Sequence, residues 1–121
     1  MTEQELVQQI LLEFGARSDL RLWRANTGAA VRRGGGLVRF GVPGQADISG
    51  IMRPSGRRIE IECKTTRGTQ SKDQRAWQRM IEWAGGLYIL ARRIEDVRLA
   101  LGPAPLGNDA PSSGTTKTTG P

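Results

Sequence analysis

The residues best suited to chemistry lie between Gly41 and Lys64, in the stretches GVPGQADISG and RRIEIECKT. Asp47 lies on one candidate strand, and Glu62 and Lys64 share one face of the next strand, so the two carboxylates can converge at one end of a sheet. Hydrolysis of a phosphodiester requires charge neutralisation at the phosphate, a nucleophilic water and stabilisation of the leaving oxygen. Two carboxylates and a lysine therefore predict a metal-dependent site for this chemistry, in which Lys64 orients or deprotonates the water or stabilises the developing charge.

The residue types that are missing narrow the choice of metal. The chain of 121 residues contains no histidine and a single cysteine, Cys63. A zinc finger, a histidine-based metal site and an intramolecular disulfide are therefore excluded. Because hard cations prefer carboxylate and carbonyl oxygens, the sequence predicts a cation of this class as the cofactor.

The charge distribution indicates a polyanionic partner. The chain carries a net charge of +6, and the stretch from Phe14 to Arg79 holds fourteen Arg or Lys against five Asp or Glu. Cations that displace counterions from phosphates supply affinity for nucleic acid that does not depend on its sequence. A solvated basic surface that only aids solubility is the alternative. The candidate nucleic-acid contacts are Arg24, Asn26, Arg32, Arg33 and Arg67.

Hydrophobic periodicity and turn residues predict an alternation of helices and strands. Helices are expected at Thr2 to Phe14, Lys72 to Ala84 and Ile94 to Leu101. Extended segments are expected at Leu20 to Asn26, Leu37 to Phe40, Ala46 to Ile51, Arg57 to Thr65 and Leu87 to Ala91. The glycine-rich stretch from Gly28 to Gly36, which contains Arg32 and Arg33, is expected to form a mobile basic loop or a hairpin.

This order of elements predicts one α/β domain with a mixed central sheet flanked by helices, over residues 1–101. The segment 102–121 is rich in Gly, Pro, Ser and Thr, and we expect it to be a disordered tail. No apolar run is long enough to span a membrane, and the N-terminus is acidic and polar. We therefore expect an intracellular, cytoplasmic protein without a membrane partner.

Helical phase assigns different surroundings to the two acids of the first helix. Glu3 points in nearly the same direction as Leu6 and is expected to face inward, whereas Glu5 is expected to face water. In the second helix, Trp77, Met80, Ile81 and Ala84 are expected to face inward. Trp83 is also expected in the core, while Trp23, beside Arg24, fits either a core or a base-stacking role.

Several spaced motifs together resemble one nuclease family. Asp47 followed by Glu62-Cys63-Lys64 is similar to the signature of the PD-(D/E)xK nucleases, and the surrounding residues resemble their virus-type replication-repair nuclease (VRR-NUC) branch. The matching stretches are Trp23-Arg24, Asn26-Thr27-Gly28, Gly41-Val42-Pro43-Gly44, Gly68-Thr69-Gln70-Ser71 leading to Gln74, and Gly-Gly-Leu-Tyr-Ile-Leu at 85–90. The resemblance covers Thr2 to Val97. One departure is that Gly44-Gln45-Ala46 separates Pro43 from Asp47.

The resemblance implies a restriction-endonuclease-like fold and Mg²⁺- or Mn²⁺-dependent cleavage of DNA. It also implies action on branched DNA such as Holliday junctions, a homodimer, a role in DNA repair, and a phage-encoded protein in a bacterial host. The catalytic residues that it implies are Asp47, Glu62, Lys64 and Gln74. The metal ligands that it implies are Glu3, Asp47, Glu62 and the backbone carbonyl of Cys63.

Each of these residues also has a purely structural interpretation. Asp47 could be an ordinary acid at a turn, and Glu62 and Lys64 could form an exposed ion pair of little energetic value. Gln74 could complete a capping box at the start of its helix. Glu3 could simply be an acid in the first turn of its helix, where the helix dipole stabilises negative charge. For the whole chain, the alternatives are a non-catalytic basic module that binds nucleic acid and a nuclease that acts on RNA.

Overall fold

Nine elements span residues 1–25 and 28–105, the part of the chain that this computed structural model describes. The helices are α1 (Glu3–Phe14), α2 (Lys72–Trp83) and α3 (Ile94–Leu101). The strands are β1 (Leu20–Arg24), β2 (Gly28–Val31), β3 (Leu37–Phe40), β4 (Ile48–Met52), β5 (Arg57–Cys63) and β6 (Leu87–Ala91). Capping boxes fix the starts of α1 and α2, where Thr2 and Ser71 accept hydrogen bonds from backbone N–H groups of the first turn.

Four strands form a mixed sheet in the order β1-β4-β5-β6. The pairs β1/β4 and β4/β5 are antiparallel, whereas β5 and β6 are parallel and are joined by α2. A parallel pair requires such a crossover connection, which places a helix on the sheet. The fold is therefore a single small α/β domain with a mixed sheet and three helices, as the sequence predicted at this level.

The glycine-rich basic segment forms a hairpin, which was one of the two structures expected for it. β2 and β3 pair antiparallel in a second, two-stranded sheet. Three consecutive glycines, Gly34 to Gly36, all have positive φ, a backbone region that favours glycine. The N–H of Arg32 donates to the carbonyl of Gly36 at 2.7 Å and closes the turn. Arg32 and Arg33 are thus presented in an exposed position between the two strands.

Helices cover both faces of the four-stranded sheet. Leu6, Val7 and Ile10 of α1 and Val97 of α3 pack with Ile61 in the main core. A smaller cluster on the opposite face joins Ile81 of α2 to Ala46 and Tyr88, and Trp77 and Leu90 pack against it. Since alternate residues of β5 point to opposite faces, Glu60 and Glu62 lie on the α2 side.

The inward face of α2 is narrower than expected. Ile81 is buried and Trp77 is half-buried, but Met80 is 41% exposed and Ala84 is also exposed. Trp83, expected in the core, is 87% exposed. The physical reason is that Trp83 follows Ile81 by two residues and so points roughly 200° away from it around the helix axis. The prediction for these three residues was wrong.

Within residues 1–25 and 28–105, no helix is long and apolar enough to cross a membrane.

The expected disordered tail begins at Gly102, whose carbonyl accepts a hydrogen bond of 2.6 Å from Arg17 Nη1. Residues 106–121, most of that segment, lie outside the described residues.

Candidate active site

The start of β4 and the end of β5 bring Asp47 and Glu62 together. Ile48 pairs with Ile61 in an antiparallel register, so the next step along each strand places Asp47 beside Glu62. Asp47 Oδ2 accepts a hydrogen bond of 2.8 Å from the N–H of Cys63, and the Asp47 carbonyl accepts one of 2.9 Å from Ala25. Asp47 immediately precedes β4 instead of lying within a strand. Its hydrogen bonds connect it to β5 on one side and to the residue after β1 on the other.

The loop before Asp47 packs against the first turn of α2. Gly44 has a φ of +80°, and a Cβ atom at this position would overlap the backbone carbonyl of Asp73. A side chain is therefore disfavoured at Gly44 by both its conformation and its surroundings. This close approach explains the role of the GVPG turn, which sets the position of Asp47 relative to α2.

Glu62 lies in a tight, polar enclosure and is 2% exposed. Its Oε2 accepts a hydrogen bond of 2.8 Å from Gln74 Nε2 and lies 3.9 Å from Lys64 Nζ. Its Oε1 is buried and makes no hydrogen bond within the described part of the chain. A buried carboxylate oxygen without a partner is costly, and a bound cation is one way to satisfy it.

The electrostatics of the site oppose negative charge. Burial, followed by the charge of Asp47, raises the pKa of Glu62 to about 8, although Lys64 acts in the opposite direction. Burial also raises the pKa of Asp47, while the hydrogen bond from the Cys63 N–H lowers it. Two desolvated acids side by side cannot both ionise easily without a compensating positive charge.

The two acids of α1 have separate roles. Glu5 is exposed and completes the α1 capping box, because its Oε1 accepts a hydrogen bond of 2.7 Å from the N–H of Thr2. Glu3 is half-buried, and its charge contributes to the raised pKa values of both Asp47 and Glu62. Glu3 therefore lies on the side of the helix that faces the site, as its helical phase predicted.

The oxygen donors that could hold a hard cation are the carboxylates of Asp47 and Glu62 and the carbonyl of Cys63 at the end of β5. Among residues 1–25 and 28–105, no group of three Asp, Glu or Cys side chains is close enough to form a metal site. Glu3, one of the four expected ligands, does not join the other two carboxylates in such a group. The unpartnered Glu62 oxygen is nevertheless an atom that a bound cation would satisfy.

Basic residues surround this edge of the sheet. Arg24 is exposed, and its charge lowers the pKa of Asp47. Arg67 is exposed in the connection between β5 and α2. Arg32 and Arg33 are in the hairpin, which is not part of the four-stranded sheet. Asn26, the remaining expected contact to nucleic acid, lies outside the described residues.

Sequence patterns did not identify the polar network that supports the site. Glu60 is completely buried, and it accepts hydrogen bonds of 2.8 Å from Trp77 Nε1 and 2.7 Å from Arg58 Nε. Arg92 donates to the carbonyls of Thr65 and Gly68 and so braces the connection that leads from β5 to α2. Strand alternation placed Glu60 on the same face as Glu62, but its partner Trp77 comes from α2, 17 residues further along the chain.

Three cavities within residues 1–25 and 28–105 are lined by other residues than Asp47 and Glu62. A cavity of about 310 Å³ is lined by residues of β1, β4 and the β4–β5 turn. A larger one, of about 620 Å³, lies between the start of β5 and the end of α2. The third, of about 430 Å³, is lined in part by Thr65 and Thr66, which follow Lys64.

No family model, no curated protein and no solved structure matches this chain.

Proposed function

We propose that this chain is a Mg²⁺- or Mn²⁺-dependent nuclease with a restriction-endonuclease-like fold, of the VRR-NUC type that its motifs resemble. The observation that carries the proposal is the buried Glu62 oxygen without a partner, next to a second, half-buried carboxylate, Asp47. Such a pair is destabilising in a protein that only folds or only binds phosphates. It becomes favourable when a divalent cation neutralises both acids.

Asp47, Glu62 and the Cys63 carbonyl would hold the cation. When bound, the cation would polarise the scissile phosphate and favour ionisation of the attacking water. Lys64 Nζ, 3.9 Å from Glu62 Oε2, would donate a hydrogen bond to the water or to a phosphate oxygen. Gln74 would keep the Glu62 carboxylate in place through its 2.8 Å hydrogen bond.

The substrate that we propose is DNA, because arginines such as Arg24 and Arg67 lie exposed around the site. The guanidinium group of arginine can donate two hydrogen bonds to phosphate oxygens whatever the base sequence of the nucleic acid. From the family resemblance we also propose that the substrate is branched DNA and that the protein is a two-fold homodimer. The same resemblance leads us to propose that it is encoded by a phage and acts in DNA repair. A two-fold dimer would place two active sites on symmetric strands of a branched substrate.

A non-catalytic basic module is the competing function. The basic surface supports both, but the acids discriminate between them, because carboxylates in a phosphate groove weaken simple binding through repulsion. A binding module would therefore gain affinity when Asp47 or Glu62 is neutralised. A nuclease would lose activity.

The test is cleavage of end-labelled linear duplex, flapped and four-way-junction DNA, and of RNA of matching sequence, with Mg²⁺, Mn²⁺ or EDTA. We expect cleavage only with the metals. Asp47→Asn and Glu62→Gln should each reduce it by at least about 100-fold, the upper range for residues that merely support metal ligands. Glu82→Gln, which changes an exposed acid at the far end of α2, is the matched control and should keep wild-type activity.

Thermal unfolding in EDTA must show that both variants still fold. Activity of either variant within a few-fold of wild type would refute the assignment of the site. Absence of cleavage on every substrate, together with tighter binding of Asp47→Asn, would instead support the binding module.

A further inference from the structure

The outward face of α2 carries a continuous basic stripe that ends in an exposed aromatic side chain. Lys72, Arg75, Arg79 and Trp83 are separated by three, four and four residues, which places them along one side of the helix. All four are exposed, and Trp83 is 87% exposed. A tryptophan this exposed contributes little to the core, and its ring is accessible to a ligand.

The cations of this stripe are available to a ligand. Within residues 1–25 and 28–105, Lys72 and Arg79 form no salt bridge. Arg75 Nη1 donates to the carbonyl of Gln70 at 2.7 Å, which holds the guanidinium in place without neutralising it. The stripe therefore presents three unneutralised positive charges in a row.

The stripe begins in the turn of α2 that also carries Gln74, although Gln74 itself points towards the sheet and Glu62. Gln74, which contacts Glu62, is in the first turn of α2, and Trp83 is its last residue. The nine-residue step from Gln74 to Trp83 spans roughly 14 Å at 1.5 Å per residue. This length corresponds to about four nucleotides at 3.4 Å per nucleotide of a strand. The cavity of about 620 Å³, lined in part by Arg57 and Met80, adjoins the same end of the helix.

We propose that the outward face of α2 binds a single-stranded segment of the nucleic acid, with phosphates on Lys72, Arg75 and Arg79 and an unpaired base stacked on Trp83. The inference rests on the proposed function, because it assigns the path of that substrate beyond the scissile phosphate. Base stacking on an aromatic ring tolerates any base, since every base has a π face. Paired bases inside a duplex have both faces covered, so Trp83 favours an overhang or a flap.

Charge decides against a second copy of this chain as the occupant of this face. A two-fold contact would place the same stripe on both partners and bring Lys72, Arg75 and Arg79 of one copy towards the same cations of the other. A polyanion complements the stripe, whereas a second stripe repels it.

The experiment measures binding of fluorescein-labelled DNA in EDTA, so that no cleavage interferes. The probes are a blunt duplex and the same duplex with a ten-nucleotide single-stranded overhang. Trp83→Ala should weaken binding to the overhang probe about 5- to 100-fold, the range for loss of one base–aromatic stack. Binding to the blunt duplex should not change, and Trp83→Phe should retain most of the affinity. Lys72→Gln with Arg79→Gln should reduce the slope of log affinity against log salt by about 1.4 on the overhang probe.

Leu99→Ala is the matched control, because Leu99 is also 87% exposed but lies on α3, on the other face of the sheet. It should leave both probes unaffected. Equal affinity of wild type and Trp83→Ala for the overhang probe would overturn the inference. It would also be overturned if Trp83→Ala converted a dimer into a monomer, as judged by its sedimentation coefficient, without changing DNA binding. Metal-dependent cleavage is measured separately. If the wild type cleaves DNA and Trp83→Ala does not change binding, only the inference about α2 is refuted. If Trp83→Ala weakens binding but the wild type cleaves no substrate, only the proposed nuclease activity is refuted.

Discussion

Gln74 connects the start of α2 to Glu62 through a single side-chain amide. Its Nε2 donates to Glu62 Oε2 at 2.8 Å, and its Oε1 accepts from the N–H of Ser71 at 2.8 Å. Ser71 Oγ in turn accepts from the Gln74 N–H at 3.1 Å. The capping and active-site interpretations of Gln74 are therefore not alternatives. The cap orients the amide, and the oriented amide positions the carboxylate.

Substitutions at Gln74 and Ser71 should separate these two interactions. Gln74→Glu keeps an acceptor for the Ser71 N–H but has no donor for Glu62, so cleavage should fall about 10- to 100-fold, as for other residues that support metal ligands. Ser71→Ala removes part of the cap and should cost about 1 kcal/mol of stability while cleavage changes by no more than a few-fold. Thermal unfolding and initial cleavage rates measure the two effects. An equal reduction of cleavage in both variants would mean that Gln74 acts only through the helix.

Without metal, the stability of the protein should fall as pH rises from about 4.5 to about 8. The pKa of Glu62 is raised from 4.5 to about 8 in the folded state, so between these values the folded protein holds a proton that the unfolded chain has released. The carboxyl contributes its full stability below pH 4.5, and this contribution is lost by the time pH passes 8. Urea unfolding in EDTA at several pH values measures the effect.

Glu62→Gln should flatten this pH dependence, because an amide stays neutral throughout. The raised pKa of Asp47 leaves a residual slope in that variant. Glu82→Gln, at an exposed acid, should keep the wild-type slope. Adding Mg²⁺ or Mn²⁺ should restore stability at pH 8 in the wild type and not in Glu62→Gln. A wild-type protein whose stability rises over this range would contradict the charge arrangement described for the site.

The local elements could be predicted because each depends on residues that are near one another in sequence. The spacing of Leu6, Val7 and Ile10 predicted α1, and the alternation around Ile59 and Ile61 predicted β5. The adjacency of Asp47 and Glu62 could also be predicted, since a short connection between two antiparallel strands fixes their register.

Features that depend on how α2 docks could not be predicted in the same way. The face of β5 that carries Glu60 and Glu62 is covered by α2, and Glu60 is buried against Trp77. Trp83 was assigned to the core by its residue type, although its position two residues after Ile81 directs it to the opposite side of the helix. The link between Gln74 and Glu62 likewise exists only after β5 and α2 have packed together.

Charge reversal in the hairpin should weaken binding of DNA without affecting the metal site. Arg32→Glu with Arg33→Glu replaces two exposed cations and should lower the slope of log affinity against log salt by about 0.9 for each phosphate that these arginines neutralise. Arg21→Glu with Arg53→Glu is the matched control. Both arginines are exposed, and Arg21 pairs with Ile51 while Arg53 follows Met52, at the end of the sheet opposite Asp47 and Glu62. If the control pair changes the slope as much as the hairpin pair, the hairpin has no specific role in DNA binding.

Glu3 and Glu5 should respond differently to the same substitution. The two positions differ by roughly 200° around the axis of α1. Glu5 is exposed and accepts from the Thr2 N–H, an interaction that glutamine can also make, so Glu5→Gln should leave cleavage and stability almost unchanged. Glu3 is half-buried, and its charge acts on both Asp47 and Glu62.

Glu3→Gln removes a negative charge beside the two ligands, so the apparent affinity for Mg²⁺ should fall about tenfold, as for other residues outside the ligand set. The same change should lower the pKa of Glu62, because the charge of Glu3 helps to raise it. The pH window in which metal-free stability declines should therefore end at a lower pH in Glu3→Gln than in Glu5→Gln. Metal titrations followed by cleavage rate, together with urea unfolding in EDTA, measure both effects. If Glu5→Gln weakened the apparent Mg²⁺ affinity and Glu3→Gln did not, α1 would face the sheet with its other side, and the assignment of Glu3 to the site would be wrong.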